Sequence, residues 1–292
     1  VSNECVLGVI GAGNFARAVL LPELKKLPRV SLETVVARSG SSAEFAQNNF
    51  GFNTAATDAE EIIKNKQINA VLIATRHDSH ADLTIRALSA GKSVLVEKPL
   101  GLSKKEIIAV AEARKGSNSF FQVGFNRRFA PLVQKAHVTL KNIEGPRFMI
   151  FRINAGNIPA DSWLHNPAEG GGRIIGEMCH FIDLARHFAG SKIITVQASS
   201  AQNPNKTADD VTTNLLFEDG SLATIAYTSL GDPSFPKERF EIFSGSTVVV
   251  LDNFKNLSIT ANGSTKNYSQ SKQDKGFKAE LLAFTNAVSM GG

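Results

Sequence analysis

Three short stretches carry residue types and spacings that chemistry needs. The first is Gly11-x-Gly13-x-x-Ala16, placed after the apolar run Val6–Ile10 and before the helical pattern "RAVLLPELKKL". A strand, a glycine turn and a helix start suit the pyrophosphate of a dinucleotide. Gly11 allows the tight turn, Gly13 lets backbone approach the phosphates, and small Ala16 lets helix pack on strand. The unpaired N–H groups at the helix start, around Asn14 and Phe15, then meet the negative charge. The end of the next strand reads Val35-Val36-Ala37-Arg38-Ser39, without an acid. A carboxylate there would hold the ribose 2′-hydroxyl of NAD and repel a 2′-phosphate. Arg38 and Ser39 suit the phosphate, which favours NADP(H) over NAD. The alternative for Arg38 is a solvated side chain, or one stacked on the adenine of either cofactor.

The second stretch is Glu97-Lys98-Pro99, closing the apolar run "SVLV". In open α/β sheets ligands bind beyond the carboxyl ends of the strands, so Lys98 stands where chemistry occurs. Pro99 restricts the residue before it and ends the strand. The third is "GGGRIIGEMCHFIDLARHF", Gly170 to Phe188. Wound at about 100° per residue, it gathers Ile174, Met178, Phe181, Ile182, Ala185 and Phe188 on one side. Gly176, His180, Asp183 and His187 form a narrow stripe on the other, with Glu177 about 60° from His180. The residues alone leave two readings: an amphipathic helix with a solvated face, or the floor of a catalytic site.

The elements that must position these residues follow a clear order. Up to about residue 124 apolar strand runs alternate with helical patterns: "SLETVVARS", "SSAEFAQNNFG", "AEEIIKN", "INAVLIAT", "SHADLTIRALSAG", "KSVLVEKP", "SKKEIIAVAEARKG" and "SFFQVGF". Continuous apolar strands between helices predict a doubly wound parallel sheet, an N-terminal Rossmann domain over residues 1–124. Beyond it "RFMIFRIN", "ITVQASSAQ", "VTTNLLFEDGSLATIAYTSL", "RFEIFSGSTVVVLDN" and "NLSITANGSTKNY" read as strands joined by Gly, Asp and Asn turns. These predict a C-terminal α/β domain over residues 125–292, with a large, mostly antiparallel sheet and a closing amphipathic helix.

Composition narrows the function classes. With 292 residues, a formal charge of +5 and scattered Lys and Arg, the chain lacks the basic stripe of a nucleic-acid or membrane-surface protein. The two cysteines, Cys5 and Cys179, match no metal spacing or disulfide framework and suit a reducing cytoplasm. No metal ion is expected. The single tryptophan, Trp163, lies near His165 in a polar loop. A flat aromatic face edged with hydrogen-bonding groups suits a sugar, although Trp163 packed in a core is the even alternative. Arg127 is a further candidate for substrate or phosphate, or pairs with acids.

The pieces "GVIGAGNFA", "AVLIATRHDSHADLTIRALSAGKSVLVEKPL", "VGFNRRFAP" and "GGGRIIGEMCHFIDLARHFAG" resemble, in order, the glucose–fructose oxidoreductase/inositol dehydrogenase (Gfo/Idh/MocA) family. The resemblance implies hydride transfer between NAD(P) and a sugar, sugar nucleotide or polyol, by a homodimer or homotetramer formed through the C-terminal sheet. Lys98 matches the family's catalytic lysine, Glu97-Lys98-Pro99 its cofactor-facing turn, often with a cis Lys–Pro bond, and Thr75 and His80 its loop along the cofactor. Arg76 stands where a proline is common. His180 matches a histidine that donates or accepts a proton at the substrate. The aspartate often found one turn earlier is replaced by Gly176; Glu177, a candidate at the substrate, is the nearest acid but faces a different direction unless the turn after the triglycine is not yet helical. The family also contains NAD-dependent glycosidases, and the Gly176 position leaves room for a cofactor-binding regulator without catalysis. "GGGRIIGEMCHFIDL" further resembles the C-terminal half of bi-domain oxidoreductases, consistent with a chain that opens Val1-Ser2 as part of a longer polypeptide.

Overall fold

The structure is a computed structural model, and it describes residues 4–201 and 209–291. The chain divides into two compact units. The first runs to Phe125 and takes in Ala168–Gly170 and the C-terminal helix; the second holds Asn126–Pro167 and Gly171–Gly276. A single cut after residue 124 leaves the segment Ala168–Gly170 and the last helix in the second unit, whereas both belong to the first.

In the first unit the strands are β1 (Cys5–Ile10), β2 (Val30–Val36), β3 (Thr54–Ala56), β4 (Ala70–Ile73), β5 (Ser93–Val96) and β6 (Phe121–Val123). They form one sheet in the order β3-β2-β1-β4-β5-β6, and every pairing is parallel. Its helices are α1 (Leu21–Leu24), α2 (Gly40–Phe50), α3 (Glu60–Ile63), α4 (His80–Ser89) and α5 (Lys104–Lys115). Each face of the sheet carries its own core. One holds Leu7, Val9, Val35 and Leu72 with Leu20, Leu24 and Phe284, the other Ile10, Val71, Ile73 and Val94 with Ile62, Leu83 and Leu88. Strands buried on both faces explain their unbroken apolar runs. The chain reversal after β1 at positive φ and the pairing of all six strand ends in one direction bring the post-strand loops to one edge.

In the second unit α6 (Pro131–Lys141) and α7 (Cys179–Ala189) cover one face of an eight-stranded sheet, and the C-terminal helix α8 (Phe277–Ser289) belongs to the first unit. The strands are β7 (Phe148–Asn154), β8 (Ile193–Ser200), β9 (Val211–Phe217), β10 (Leu222–Thr228), β11 (Glu238–Ser244), β12 (Thr247–Asp252), β13 (Asn256–Ala261) and β14 (Ser264–Ser269). Their order is β14-β13-β12-β11-β7-β10-β9-β8, antiparallel except for β7 beside β10. The strand reading "ITVQASSAQ" ends at Gln202, outside the described residues. Alternation is clean along β10, where Ala223, Ile225 and Tyr227 face the core. Phe151, Phe181, Phe188 and Phe240 fill the space between helices and sheet.

Candidate functional site

The glycine turn is fixed by its neighbours. Gly11 has φ +106°, and a Cβ there would lie 2.5 Å from the Ala74 carbonyl, so only glycine fits. Gly11 N–H donates to Val36 O and Ala74 N–H to Ile10 O, each at 2.8 Å, which ties three strand ends together. Around Gly13 a Cβ would meet nothing within 4 Å, leaving the open approach that a phosphate needs. Ala16 is buried against the core. The helix start is not regular: Ala16–Leu20 forms a π-helical turn before α1. Asn14 Oδ1 accepts from Arg17 at 2.9 Å, and the Phe15 ring stands edge-on to Phe277 at 5.6 Å. Both residues are exposed, so their side chains as well as the backbone N–H groups at the helix start are open to a ligand.

A cavity of about 350 Å³ opens at this sheet edge, lined by Gly11, Arg38, Thr57, Thr75, Arg76 and Glu169 among others. Arg38 and Ser39 are exposed, and Ser39 caps α2 with its hydroxyl accepting from Ser42 N–H at 3.3 Å. Room beside Gly13, a cavity beyond the carboxyl ends of β1, β2 and β4, and a cation at its rim fit a dinucleotide.

The next loop is tightly bonded. Ser79 Oγ donates to Arg76 O at 2.9 Å, so Thr75 Oγ1, 2.7 Å away, donates to Ser79. His80, 1% exposed, stands between two carbonyls: Nδ1 is 2.7 Å from Pro99 O and Nε2 3.1 Å from Thr75 O. Burial lowers its pKa below the ordinary histidine value, and a neutral ring donates one N–H, for which the shorter contact to Pro99 is the better partner. His80 thus reaches both the loop after β4 and the loop after β5. The Lys98–Pro99 peptide is cis, as the family pattern implies. Glu97 is buried, and Gly124 leaves it room, since a Cβ there would come within 3.0 Å of its carboxylate. Lys98 is half-buried at the end of β5.

In the second unit the first of the two readings of this helix, a solvated stripe, does not form. His180 and Asp183 are 6% and 9% exposed, and Arg186 is the exposed residue of α7. A π-helical turn, Ile174–Met178, precedes the helix and takes Gly176 and Glu177 out of the even 100° spacing, whereas His180, Asp183 and His187 lie within α7 itself and are covered by packing. Asp183 pairs with Arg128 through both oxygens.

Glu177 is reassigned by its contacts. Its Oε1 accepts from Lys237, and its Oε2 from Tyr227 at 2.5 Å and Arg173 at 3.0 Å. Burial pushes its carboxyl up, but Lys237 and the hydrogen bonds from Lys237, Tyr227 and Arg173 outweigh this and bring it to about 2. Such a carboxylate stays charged near neutrality and anchors a network of three donors. Arg173, 4% exposed, also donates to Gly156 O at 2.6 Å and is held from both ends.

Arg127 is likewise withdrawn from the substrate candidates. It is buried and donates twice to the fully buried Glu238, at 3.0 and 2.8 Å, with Lys275 2.9 Å from the same carboxylate. Trp163 sits half-buried in a short helical turn capped by Ser162, whose hydroxyl accepts from Leu164 N–H at 3.4 Å. The partners in these buried networks that the sequence did not single out are Arg173, Tyr227, Lys237 and Glu238, and beside them Asp210, which accepts from Thr228, Ser229 N–H and Ser229 Oγ. For Tyr227 and Glu238 strand alternation was the available signal; for Lys237 and Asp210 there was none. Among the described residues no group of three His, Cys, Asp or Glu side chains is placed to hold a metal. No described helix is long and apolar enough to cross a membrane.

Comparison with known proteins places these pieces. The chain matches "Oxidoreductase family, NAD-binding Rossmann fold" of Gfo/Idh/MocA over residues 6–125, and the Gfo/Idh/MocA C-terminal domain over residues 146–246. It is 31% identical over 222 residues to Oxidoreductase P35 of Formosa agariphila, covering 73% of this chain and 69% of that protein. Myo-inositol 2-dehydrogenase of Thermotoga maritima is 25% identical over 259 residues, 87% of this chain and 77% of its own. Among solved structures, levoglucosan dehydrogenase in complex with NADH and levoglucosan superposes with a TM-score of 0.88 at 22% identity, covering 99% of this chain and 91% of that one. The chain belongs to the Gfo/Idh/MocA family of oxidoreductases and carries its NAD-binding Rossmann domain.

Proposed function

We propose that the protein transfers a hydride between a nicotinamide dinucleotide and a sugar, sugar nucleotide or polyol. The observation that carries this reading lies in the first unit: Lys98 leaves β5 at the same sheet edge as Gly11, Thr75 and the cavity they line. The dinucleotide, when bound, supplies or accepts the hydride. Gly11, Gly13 and the helix start hold its phosphates. The Lys98 ammonium is assigned to the substrate oxygen, where it stabilises negative charge as the alcohol proton leaves. His180 is assigned to move that proton, and Trp163 to offer a flat wall to the sugar ring. Relatives that are inositol and levoglucosan dehydrogenases support a polyhydroxylated substrate.

Arg38 and Ser39, with no acid at the end of β2, support NADP(H) as the preferred dinucleotide. A homo-oligomer formed through the second unit's sheet is supported by its outer face, where Phe148, Ile150, Leu222 and Phe243 are all exposed. A cytoplasmic location is supported by two isolated cysteines, Cys5 and Cys179, that match no disulfide framework, Cys5 having its thiol pushed up to about 12, mainly by burial. The test is a screen of sugars and polyols with NADH, NADPH and their oxidised forms, with Lys98→Met as control. The variant should lose at least about 100-fold in turnover while cofactor affinity stays within twofold. Equal loss of both would count against the role of Lys98.

A further inference from the structure

Arg76 and His77 follow β4, on the sheet edge that carries Gly11, and both reach the same short strap, Ala168–Gly170. The Arg76 guanidinium pairs with the Glu169 carboxylate. His77 Nδ1 lies 2.8 Å from Gly170 O. Burial lowers the His77 pKa to about 4, so the ring is neutral near pH 7, and a neutral ring hydrogen-bonds a carbonyl only through its one N–H. Nδ1 therefore carries the proton. The strap, 93 residues away in sequence, is fastened at two points, one ionic and one neutral.

Two further observations give the fastening a purpose. Arg76 and Glu169 line the cavity that Gly11, Arg38 and Thr75 also line. The chain leaves the strap through Gly171 and Gly172, both at positive φ, +72° and +80°. Side chains rarely adopt that conformation, so both positions call for glycine; a Cβ at Gly172 would meet nothing within 4 Å, while Gly171 N–H donates to Asn166 O at 3.0 Å.

We propose that Ala168–Gly170 is a strap closing over the dinucleotide cavity, with the Arg76–Glu169 pair as its latch, the His77–Gly170 bond as a second fastening and Gly171–Gly172 as its hinge. This rests on the reading of that cavity as the dinucleotide site. Arg76 and Glu169 are then positioning residues: they act on the cofactor's residence, through each other, and not on the reacting atoms. The latch is partly exposed, with side-chain exposures of 39% and 26%, so its effect is limited to about fivefold. A weak latch suits a cofactor that must leave after each turnover.

The experiment measures dissociation of NADH and NADPH from the full chain by stopped flow. It compares the wild type, Arg76→Ala, Glu169→Ala, the double alanine variant and the charge swap Arg76→Glu/Glu169→Arg. Hydrogen exchange at residues 166–172, without any dinucleotide, gives a second readout. Each single variant should release cofactor about two- to fivefold faster and exchange faster in the strap. The double variant should be no worse than either single one, and the swap should restore most of the wild-type rate. If Arg76→Ala weakens binding while Glu169→Ala does not, and the swap fails, Arg76 serves the phosphates directly and the latch is refuted. Variants that release cofactor and exchange like the wild type refute the strap alone. A wild type that binds neither dinucleotide overturns the reading of the cavity, and the strap's purpose with it.

Discussion

Replacing Glu238 by glutamine removes one negative charge from the second unit and leaves two cations facing a neutral amide. Glu238 is fully buried on the inward side of β11, with Arg127 7% exposed and Lys275 20% exposed beside it. Burial pushes the Glu238 carboxyl up, but the charges and hydrogen bonds of Arg127 and Lys275 prevail and hold it below the ordinary carboxylate range. Leaving buried charge uncompensated costs about 3–5 kcal/mol. For a cooperative unit of this size that corresponds to a fall in Tm of about 10 °C. Differential scanning calorimetry of the full chain reads it directly. The same physics makes a second demand: replacing all three charges by apolar groups of similar volume is often neutral or stabilising. Arg127→Met/Glu238→Leu/Lys275→Met should therefore recover at least half of the loss, and if it folds, its KM should stay within about threefold. A Glu238→Gln protein melting with the wild type refutes the argument about uncompensated charge. A triple variant with wild-type Tm and a large rise in KM would return Arg127 to the substrate site.

Gly11→Ala should abolish dinucleotide binding in a fluorescence titration. The strained φ alone costs about 1–3 kcal/mol, and the Cβ clash is with backbone that cannot step aside. Acid should weaken the fold over a defined window, because burial first, and neighbouring positive charge second, hold His187 at about 4 against an ordinary 6.5; the His137 ring stacks on it at 4.2 Å and Arg128 lies near. Since the unfolded chain binds the proton more tightly, the stabilisation is complete above pH 6.5 and is lost as pH falls towards 4, by at most about 3 kcal/mol before solvent screening. Urea midpoints between pH 7.5 and 4.5 should fall, and His187→Phe should flatten the slope; identical slopes would refute the assignment. Glu177→Gln should lower Tm, and the pH dependence of turnover near neutrality should be unchanged, because a carboxyl at about 2 does not titrate there. A new inflection in that profile would make Glu177 part of the proton path after all.

What was legible in the sequence divides by the range of the interaction that decides it. Gly11, Gly13 and Ala16 are read from local sterics, and their surroundings in the structure agree with that reading: the carbonyl of Ala74 leaves Gly11 no alternative. Continuous apolar strands gave the parallel sheet, and alternation gave the second one. Glu238 marks where alternation held more than was taken from it, since it shares a face with Phe240 and Ile242 and a carboxylate in that company needs buried cations. The helix before His180 failed for a different reason. Its periodicity assumed an α-helix from Ile174 onward, whereas a π turn precedes Cys179, and nothing in the composition of "IIGEM" prescribes one. Arg76 shows the long-range limit most plainly. In the sequence it stood only as a departure from a common proline, and its pairing with Glu169, 93 residues away, is visible only in the structure. That changes what the triglycine stretch means. On the strap proposal, the departure at Arg76 and the positive-φ glycines at 171 and 172 belong to one device, because the pair at Glu169 fastens the segment that those glycines lead out of.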